Sequence, residues 1–520
     1  MNNARIRSKI HDIRNDREVI PYVLFFAILI VFNFVLMFRH EAWRDEAQAW
    51  LMARQLSPVS LLNELSYEGH PFLWFVVLMP FAKAGLPYIT LNIISTVIMT
   101  IVMILIAVAA PFDKISRMLL AASPLCIYAF SAISRSYCLV ALLLVLLAMA
   151  DRSRFEHPVW FCFLIALLVQ THIVMIGMCF ALCACHFFGA IYAFAQKKKK
   201  DESGAKRLLI SNLASLLIPL ASALFLLFEF RDVKNAASVN VEKAFTLQGL
   251  IADVISMAKT CLVLLFTNFR YAAAAAILLF ILAAVIYDVR LVRGVIVCAV
   301  TMAFQLYVYA EIWGVSNYRH LLWLWQFFWF FWIAKVYIDE RADKVLYIPV
   351  NVILSLAICI SALASSWALV DDVKEDYNGL YTDAQATADA IEALPGDAVI
   401  FEGSGEFCNS VIARLRTKKV YNAFYEQEAG FCIRNTARFR NLDYAGFEKT
   451  AKKMFPNAEG IYVLFSDRSN EGYMGNIAGY PDTYTEVYAT TIGTIRDEGF
   501  KIIYIPFDGA GADEAAAKVS

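Results

Sequence analysis

The residues best placed to do chemistry lie just after the first apolar run of the chain, in His40-Glu-Ala-Trp-Arg-Asp-Glu-Ala-Gln-Ala-Trp50. Asp45 and Glu46 form an acidic pair there, followed by Tyr67-Glu68-Gly69-His70-Pro71 at the start of another apolar stretch. A carboxylate at the edge of a membrane can accept the proton of a polar acceptor as that acceptor attacks a lipid-borne donor. Such a reaction also needs cationic or hydrogen-bonding groups to stabilise the leaving group. Asp45, nearer the end of the span, is the first choice as base, with Glu46 second or in support. An acidic flank to a membrane helix is the structural alternative, and it is common.

Four further groups suit the rest of that chemistry. Arg135, in Ser134-Arg135-Ser136-Tyr137, and Arg319, in Tyr318-Arg319-His320, sit at ends of apolar runs beside tyrosines. Arginine offers a planar, permanently charged fork that matches phosphate oxygens. Singly, each is equally a snorkelling arginine in an aromatic belt. His70 and His172 suit phosphate binding or acceptor positioning, and also an ordinary surface role. Tyr137, His172 and Tyr318 are supporting residues. No spacing typical of metal ligands appears; a divalent cation at Asp45 and Glu46 stays open. Cys183, Cys185 and His186 are read as apolar helix residues, because positions two apart on a helix face different sides.

The elements that position these groups belong to a membrane protein. The chain has 520 residues, of which 60% are hydrophobic and 18% charged, with a formal net charge of zero. That composition exceeds the apolar content of soluble domains and offers no basic footprint for nucleic acid. Ile20–Phe38 reads as a retained first helix rather than a signal peptide. Ten further apolar runs follow, at 88–110, 118–133, 137–150, 159–170, 174–195, 208–229, 271–287, 295–313, 320–337 and 345–370, for a bundle of about eleven helices. The basic N-terminus (Arg5, Arg7, Lys9, Arg14, Arg17) and Lys197–Lys200 mark the cytoplasmic side. If 71–84 lies on the surface or re-enters, then Lys114/Arg117, Arg152/Arg154, Arg290/Arg293 and Arg341/Lys344 are cytoplasmic too. The 247–266 stretch, with Asp253 and Lys259, reads as an interfacial helix. The polar outer loops, including 231–243 and Asn317, then share one face with Asp45.

Three parts result: a cytoplasmic N-terminus over 1–19, a transmembrane part over 20–370 with an outer loop at 39–87, and an extracytoplasmic α/β domain over 371–520. In that tail, helices are expected at 381–394 and 444–455 and strands at 398–401, 460–465, 485–491 and 501–506. Gly403-Ser404-Gly405 is too short for a phosphate loop. Cys408 and Cys432 would be free to pair in an oxidising exterior.

The Asp45-Glu46 pair and the His70-Pro71 step resemble the GT-C superfamily of membrane glycosyltransferases. The similarity is to the branch of the protein O-mannosyltransferases and the aminoarabinose transferase of lipid A, with Phe72 in place of a second proline. Ser123-Pro124 through Tyr137, Thr171-His172, and Tyr318-Arg319 in reversed order also resemble that branch, over most of residues 20–370. One departure is the turn at Arg135, which lacks the second acidic residue that some members carry. The resemblance implies a polytopic GT-C-like fold and Asp45 as the catalytic carboxylate. It also implies a polyprenyl-phosphate sugar donor and transfer to a glycan, lipid or protein acceptor on the non-cytoplasmic face of the cell membrane. Competing readings are a lipid-linked sugar flippase, a glycan polymerase or ligase using a lipid-diphosphate donor, and a non-catalytic envelope scaffold.

Overall fold

A computed structural model describes residues 19–200, 204–236, 246–312, 314–315, 318–343, 345–379, 381–435, 444–466, 484–491, 493–496 and 498–507. The basic N-terminus, residues 237–243, Asn317 and Lys344 lie outside the described residues.

Among the described residues, eight helical segments are long and apolar enough to cross a membrane: Val19–Arg39, Thr90–Ala109, Ile173–Lys199, Ala205–Glu229, Leu247–Tyr287, Val289–Glu311, Arg319–Asp339 and Tyr347–Tyr377. They account for eight of the eleven expected runs. The protein is therefore a polytopic helical membrane protein with a C-terminal sheet region. Val19–Arg39 turns Ile20, Val23, Leu24, Ile28 and Val31 outward, as a helix on the lipid-facing periphery must. Arg319–Asp339, apolar all round and rich in Trp and Phe, is almost wholly buried and forms the bundle centre.

Of the other three runs, 137–150 and 159–170 are helices where the sequence places them, and 118–133 is not one helix. Tyr137–Ala150 and Pro158–Val169 are helices of 14 and 12 residues, roughly 21 and 18 Å long against a hydrocarbon core of about 30 Å. Phe72–Lys83, at 12 residues, is equally short. The 118–133 run is broken: an α-helix over Lys114–Ala122 gives way at Pro124 to a π-helical turn, Leu125–Ala129, and then to buried irregular backbone. Leu247–Phe266, expected at the interface, is a 20-residue helix of crossing length that turns at Thr267, where φ is 43°.

Irregular backbone inside a bundle must have its polar groups satisfied. Around 130–136 neighbouring side chains do this. Asn92 donates to the Ala132 carbonyl at 3.0 Å and to Ser134 Oγ at 2.9 Å. Ser95 donates to the Phe130 carbonyl, and Glu46 accepts the Ser134 N–H at 2.5 Å. The segment carrying Arg135 is thus held without being helical.

Among the described residues the C-terminal region forms a six-stranded sheet, ordered β3-β2-β1-β4-β6-β5. The strands are β1 (Ile400–Glu402), β2 (Val420–Asn422), β3 (Gln427–Glu428), β4 (Gly460–Ser466), β5 (Thr485–Ala489) and β6 (Phe500–Pro506). β1 pairs in parallel with β2 and β4, and the remaining pairs are antiparallel. β1, β4, β5 and β6 and the helices Ala384–Glu392 and Tyr444–Met454 fall where the sequence predicts them; β2 and β3 are additions. One face of the sheet packs on Phe447 and Ala451; the other joins Ile400, Leu464 and Ile502 to the core shared with the membrane helices.

The sheet region therefore sits directly on the bundle. Its floor is the helix Arg44–Gln55, which packs between Phe72–Lys83 and the Asn409–Ile412 turn. Trp50, on this helix, is fully buried. Gly430 lies so close to this helix that a Cβ there would stand 2.0 Å from Gln55 Oε1. The same oxygen accepts the Phe431 N–H at 3.2 Å. No disulfide joins Cys408 and Cys432.

Candidate active site

Asp45 lies in the first turn of Arg44–Gln55, where the helix N-terminus favours negative charge. The buried 130–136 segment places Arg135 opposite it, with Arg135 Nη1 donating to Asp45 Oδ2 at 2.5 Å. Arg434, from the segment laid over the same helix, approaches Asp45 Oδ1 at 3.9 Å and pairs with Glu68 at 3.2 Å. Burial would raise the Asp45 pKa, but the charges of Arg135, Arg434 and Arg44 outweigh it and hold the carboxyl far below the usual range. Asp45 still keeps 17% of its side chain exposed, enough for a small hydroxyl to reach it.

Asp45, Arg135, Arg434 and Glu68, together with Gln48, His70 and Ser134, line a narrow cleft of about 360 Å³ that is partly open to solvent. Gln48 follows Asp45 by three residues, so the helix turns both to one side. Gln48 Nε2 donates to Glu68 Oε1 at 2.7 Å. His70 Nε2 stands 3.1 Å from Arg135 Nη2. Burial and the charges of Arg135, His172 and Arg319 push the His70 pKa well below its usual value. His70 is therefore a neutral imidazole that accepts from the guanidinium and helps to aim it.

Behind His70 stand His172, 4.8 Å away ring to ring, and Tyr137, stacked on His172 at 5.3 Å. His172 Nδ1 accepts the Val174 N–H at 3.2 Å, so its proton resides on Nε2. That Nε2 and the Tyr137 hydroxyl are buried with no protein partner. Burial and the charges of Arg319 and Arg135 lower the His172 pKa well below its ordinary value. Arg319 donates to the Gly314 carbonyl at 3.2 Å and is near enough for its charge to act on both histidines.

Of the residues singled out from sequence, Asp45, His70, Arg135, Tyr137 and His172 stand together, with Arg319 acting electrostatically on the histidines. Glu46 and Tyr318 stand elsewhere. Glu46 points into the core, where it accepts from Trp43 N at 3.1 Å and Ser134 N, and pairs with His40 at 3.0 Å. His40 is held on its other side by Asp376 at 2.7 Å, at the end of the last membrane helix. Burial opposes charge on His40, but the two carboxylates prevail and raise its pKa to about 10. Tyr318 donates to Asp372 at 3.0 Å, and its ring lies under Arg496.

Sequence reasoning missed Gln48, Glu68 and Arg434. The first two carried a signal, one helical turn from Asp45 and two residues before His70; Arg434 carried none. Among the described residues, no group of three or more His, Cys, Asp or Glu stands close enough together to hold a metal ion.

Fold and site together define a multi-pass membrane protein with a half-buried, ion-paired carboxylate beneath a sheet region. No protein-family model matches the chain, and no curated protein matches it. Among solved structures it is similar to the crystal structure of ArnT from Cupriavidus metallidurans bound to undecaprenyl phosphate. The TM-score is 0.46 at 10% identity, over 94% of this chain and 98% of that one.

Proposed function

We propose that this protein is a membrane glycosyltransferase that moves a sugar from a polyprenyl-phosphate donor to a hydroxyl acceptor on the non-cytoplasmic side. The observation that carries the reading is the Asp45–Arg135 pair at a cavity wall, a proton acceptor and a phosphate ligand within 2.5 Å of each other. In this reaction Asp45 accepts the acceptor's hydroxyl proton as that oxygen bonds to the anomeric carbon. The bond from that carbon to the phosphate oxygen breaks, and the lipid phosphate leaves with the electron pair. Arg135 and Arg319 stabilise it, and Tyr137 and His172 Nε2 supply the nearby hydrogen-bond donors.

The resting pair implies an order of events. A carboxylate held far below its usual pKa takes a proton poorly. A donor phosphate competes with Asp45 for Arg135, and drawing the guanidinium away relieves the depression. Donor binding thereby readies the base. Glu46 serves as a positioning residue, since its two oxygens are committed to His40, Trp43 and Ser134.

The orientation has support from the far end of the bundle. Arg154, Lys197, Lys200, Arg290 and Arg293 gather around one cavity there, as the positive-inside rule expects of a cytoplasmic end. The sheet region, next to Asp45, then faces outward. Reconstitution tests the reading: supplied with polyprenyl-phosphate sugars and envelope acceptors, the wild-type protein releases free lipid phosphate. Transport of intact labelled donor without bond cleavage would mark a flippase, and turnover confined to lipid-diphosphate donors would mark a polymerase or ligase.

A further inference from the structure

A second pocket, of about 570 Å³ when the part open to solvent is included, lies in the sheet region and is unused by the reaction above. Its floor is polar and buried. Glu402 and Asn422 close the C-terminal ends of β1 and β2 and are hydrogen-bonded to each other, and Asn409 comes from the turn after β1. Glu402 is 4% exposed and Asn409 1%. The Asn409 amide nitrogen donates to Gln48 at 2.7 Å, but its Oδ1 is buried with no protein partner. Phe424, Tyr425 and Phe431 form the half-buried rim.

The chemistry of this wall is narrow. Burial raises the Glu402 pKa to about 8, so near pH 7 the carboxyl is mainly protonated and donates as well as accepts. Among the described residues the wall holds no Lys or Arg to attract an anion, and its one carboxyl is neutral and so does not attract a cation. What remains is a set of uncharged hydrogen-bonding groups under flat aromatic faces, a combination that suits a ring with hydroxyls on its edge and C–H groups on its face.

One side chain joins this cavity to the Asp45 cavity. Gln48 Oε1 accepts from Asn409 and from the Cys432 N–H, each at 2.7 Å, while its Nε2 donates to Glu68. Gln48 is thus the partition between them. We infer that the pocket formed by Glu402, Asn409, Asn422, Phe424, Tyr425 and Phe431 is a neutral-sugar subsite that holds a glycosyl unit of the acceptor while another of its hydroxyls meets Asp45. The placement beside Asp45 rests on the transferase reading; the chemistry of the pocket does not. The acceptor is then a glycan or a glycan-bearing molecule.

The test is binding, read apart from turnover. The full chain in lipid nanodiscs is applied to an array of neutral and anionic glycans, and the best neutral ligand is titrated against wild type, Phe431→Ala, Glu402→Gln and Glu402→Ala. The expected result is binding of a neutral glycan, weakened about tenfold or more by Phe431→Ala. Glu402→Gln, which mimics the protonated carboxyl, keeps the affinity, whereas Glu402→Ala loses it. Phe431→Ala lies on the rim and keeps the test open should Glu402→Ala fail to fold. Three outcomes overturn the inference: no neutral glycan bound, anionic glycans bound preferentially, or binding indifferent to both Phe431→Ala and Glu402→Ala. Donor turnover on the same samples separates the two readings. Glycan binding without donor turnover refutes the transferase and leaves the sugar pocket; donor turnover without glycan binding refutes the pocket alone.

Discussion

Asp45 and Arg135 lie 90 residues apart in the chain and meet in an ion pair of 2.5 Å, the carboxylate on a helix N-terminus and the guanidinium on buried irregular backbone. In the proposed reaction the pair restrains itself: Asp45 competes with the donor phosphate for Arg135, and Arg135 competes with the acceptor hydroxyl for Asp45. This mutual restraint is the feature from which the catalytic predictions derive.

Arg135→Lys keeps the charge but loses the fork that reaches Asp45 and His70 together. An ammonium is a point charge and does not replace a bidentate group. Turnover at saturating donor is expected to fall by about 10- to 100-fold, with KM for donor rising as well, since phosphate contact is lost in both ground and transition states. Steady-state kinetics in liposomes checks this, and unchanged parameters would remove Arg135 from the phosphate site.

Glu46→Gln should behave differently. Glu46 is fully buried and paired with His40, and removing one member of a buried pair costs about 3 kcal/mol or more. The yield and thermal stability of the protein are expected to drop, while the donor KM of the folded fraction stays near wild type. A stable variant without activity would instead make Glu46 part of the chemistry.

His40 links the Arg44–Gln55 helix to the last membrane helix, and its pKa is raised from 6.5 to about 10 in the folded protein. A group whose folded pKa lies above its unfolded value contributes stability that is fully present below about pH 6.5 and is lost as pH rises through about 10. The thermal midpoint should therefore decline across that window, and His40→Gln should be less stable at neutral pH with a flatter profile. Equal slopes in the two proteins would show that the His40 charge contributes nothing there.

The parts of this arrangement legible in the sequence are those carried by local pattern. Asp45, His70 and Arg135 stood out because charged groups beside apolar runs are few, and β4 and β6 because seven-residue apolar strands are hard to mistake. β2 and β3, three and two residues long, are too short for alternation to register. The 118–133 run was apolar enough to pass for a span, although Pro124 already broke it. Arg434 joins Asp45 only because the 430–435 segment is laid over Arg44–Gln55, a tertiary event made possible by the missing side chain of Gly430. Tyr318, adjacent to Arg319, was grouped with it by sequence, yet a φ of 67° turns the backbone there, and Tyr318 bonds Asp372 instead.

The central claim is best tested by Asp45→Asn, measured twice in the same liposomes: for release of lipid phosphate, and for equilibrium binding of the polyprenyl-phosphate donor. Removing the carboxylate removes the base but frees Arg135 for phosphate. Release should fall by at least about 100-fold, the lower range for loss of a general base, while the donor binds as tightly as to wild type or more tightly. Release at the wild-type rate, or donor binding weakened in step with activity, would contradict the assignment of Asp45 as the base held in check by Arg135.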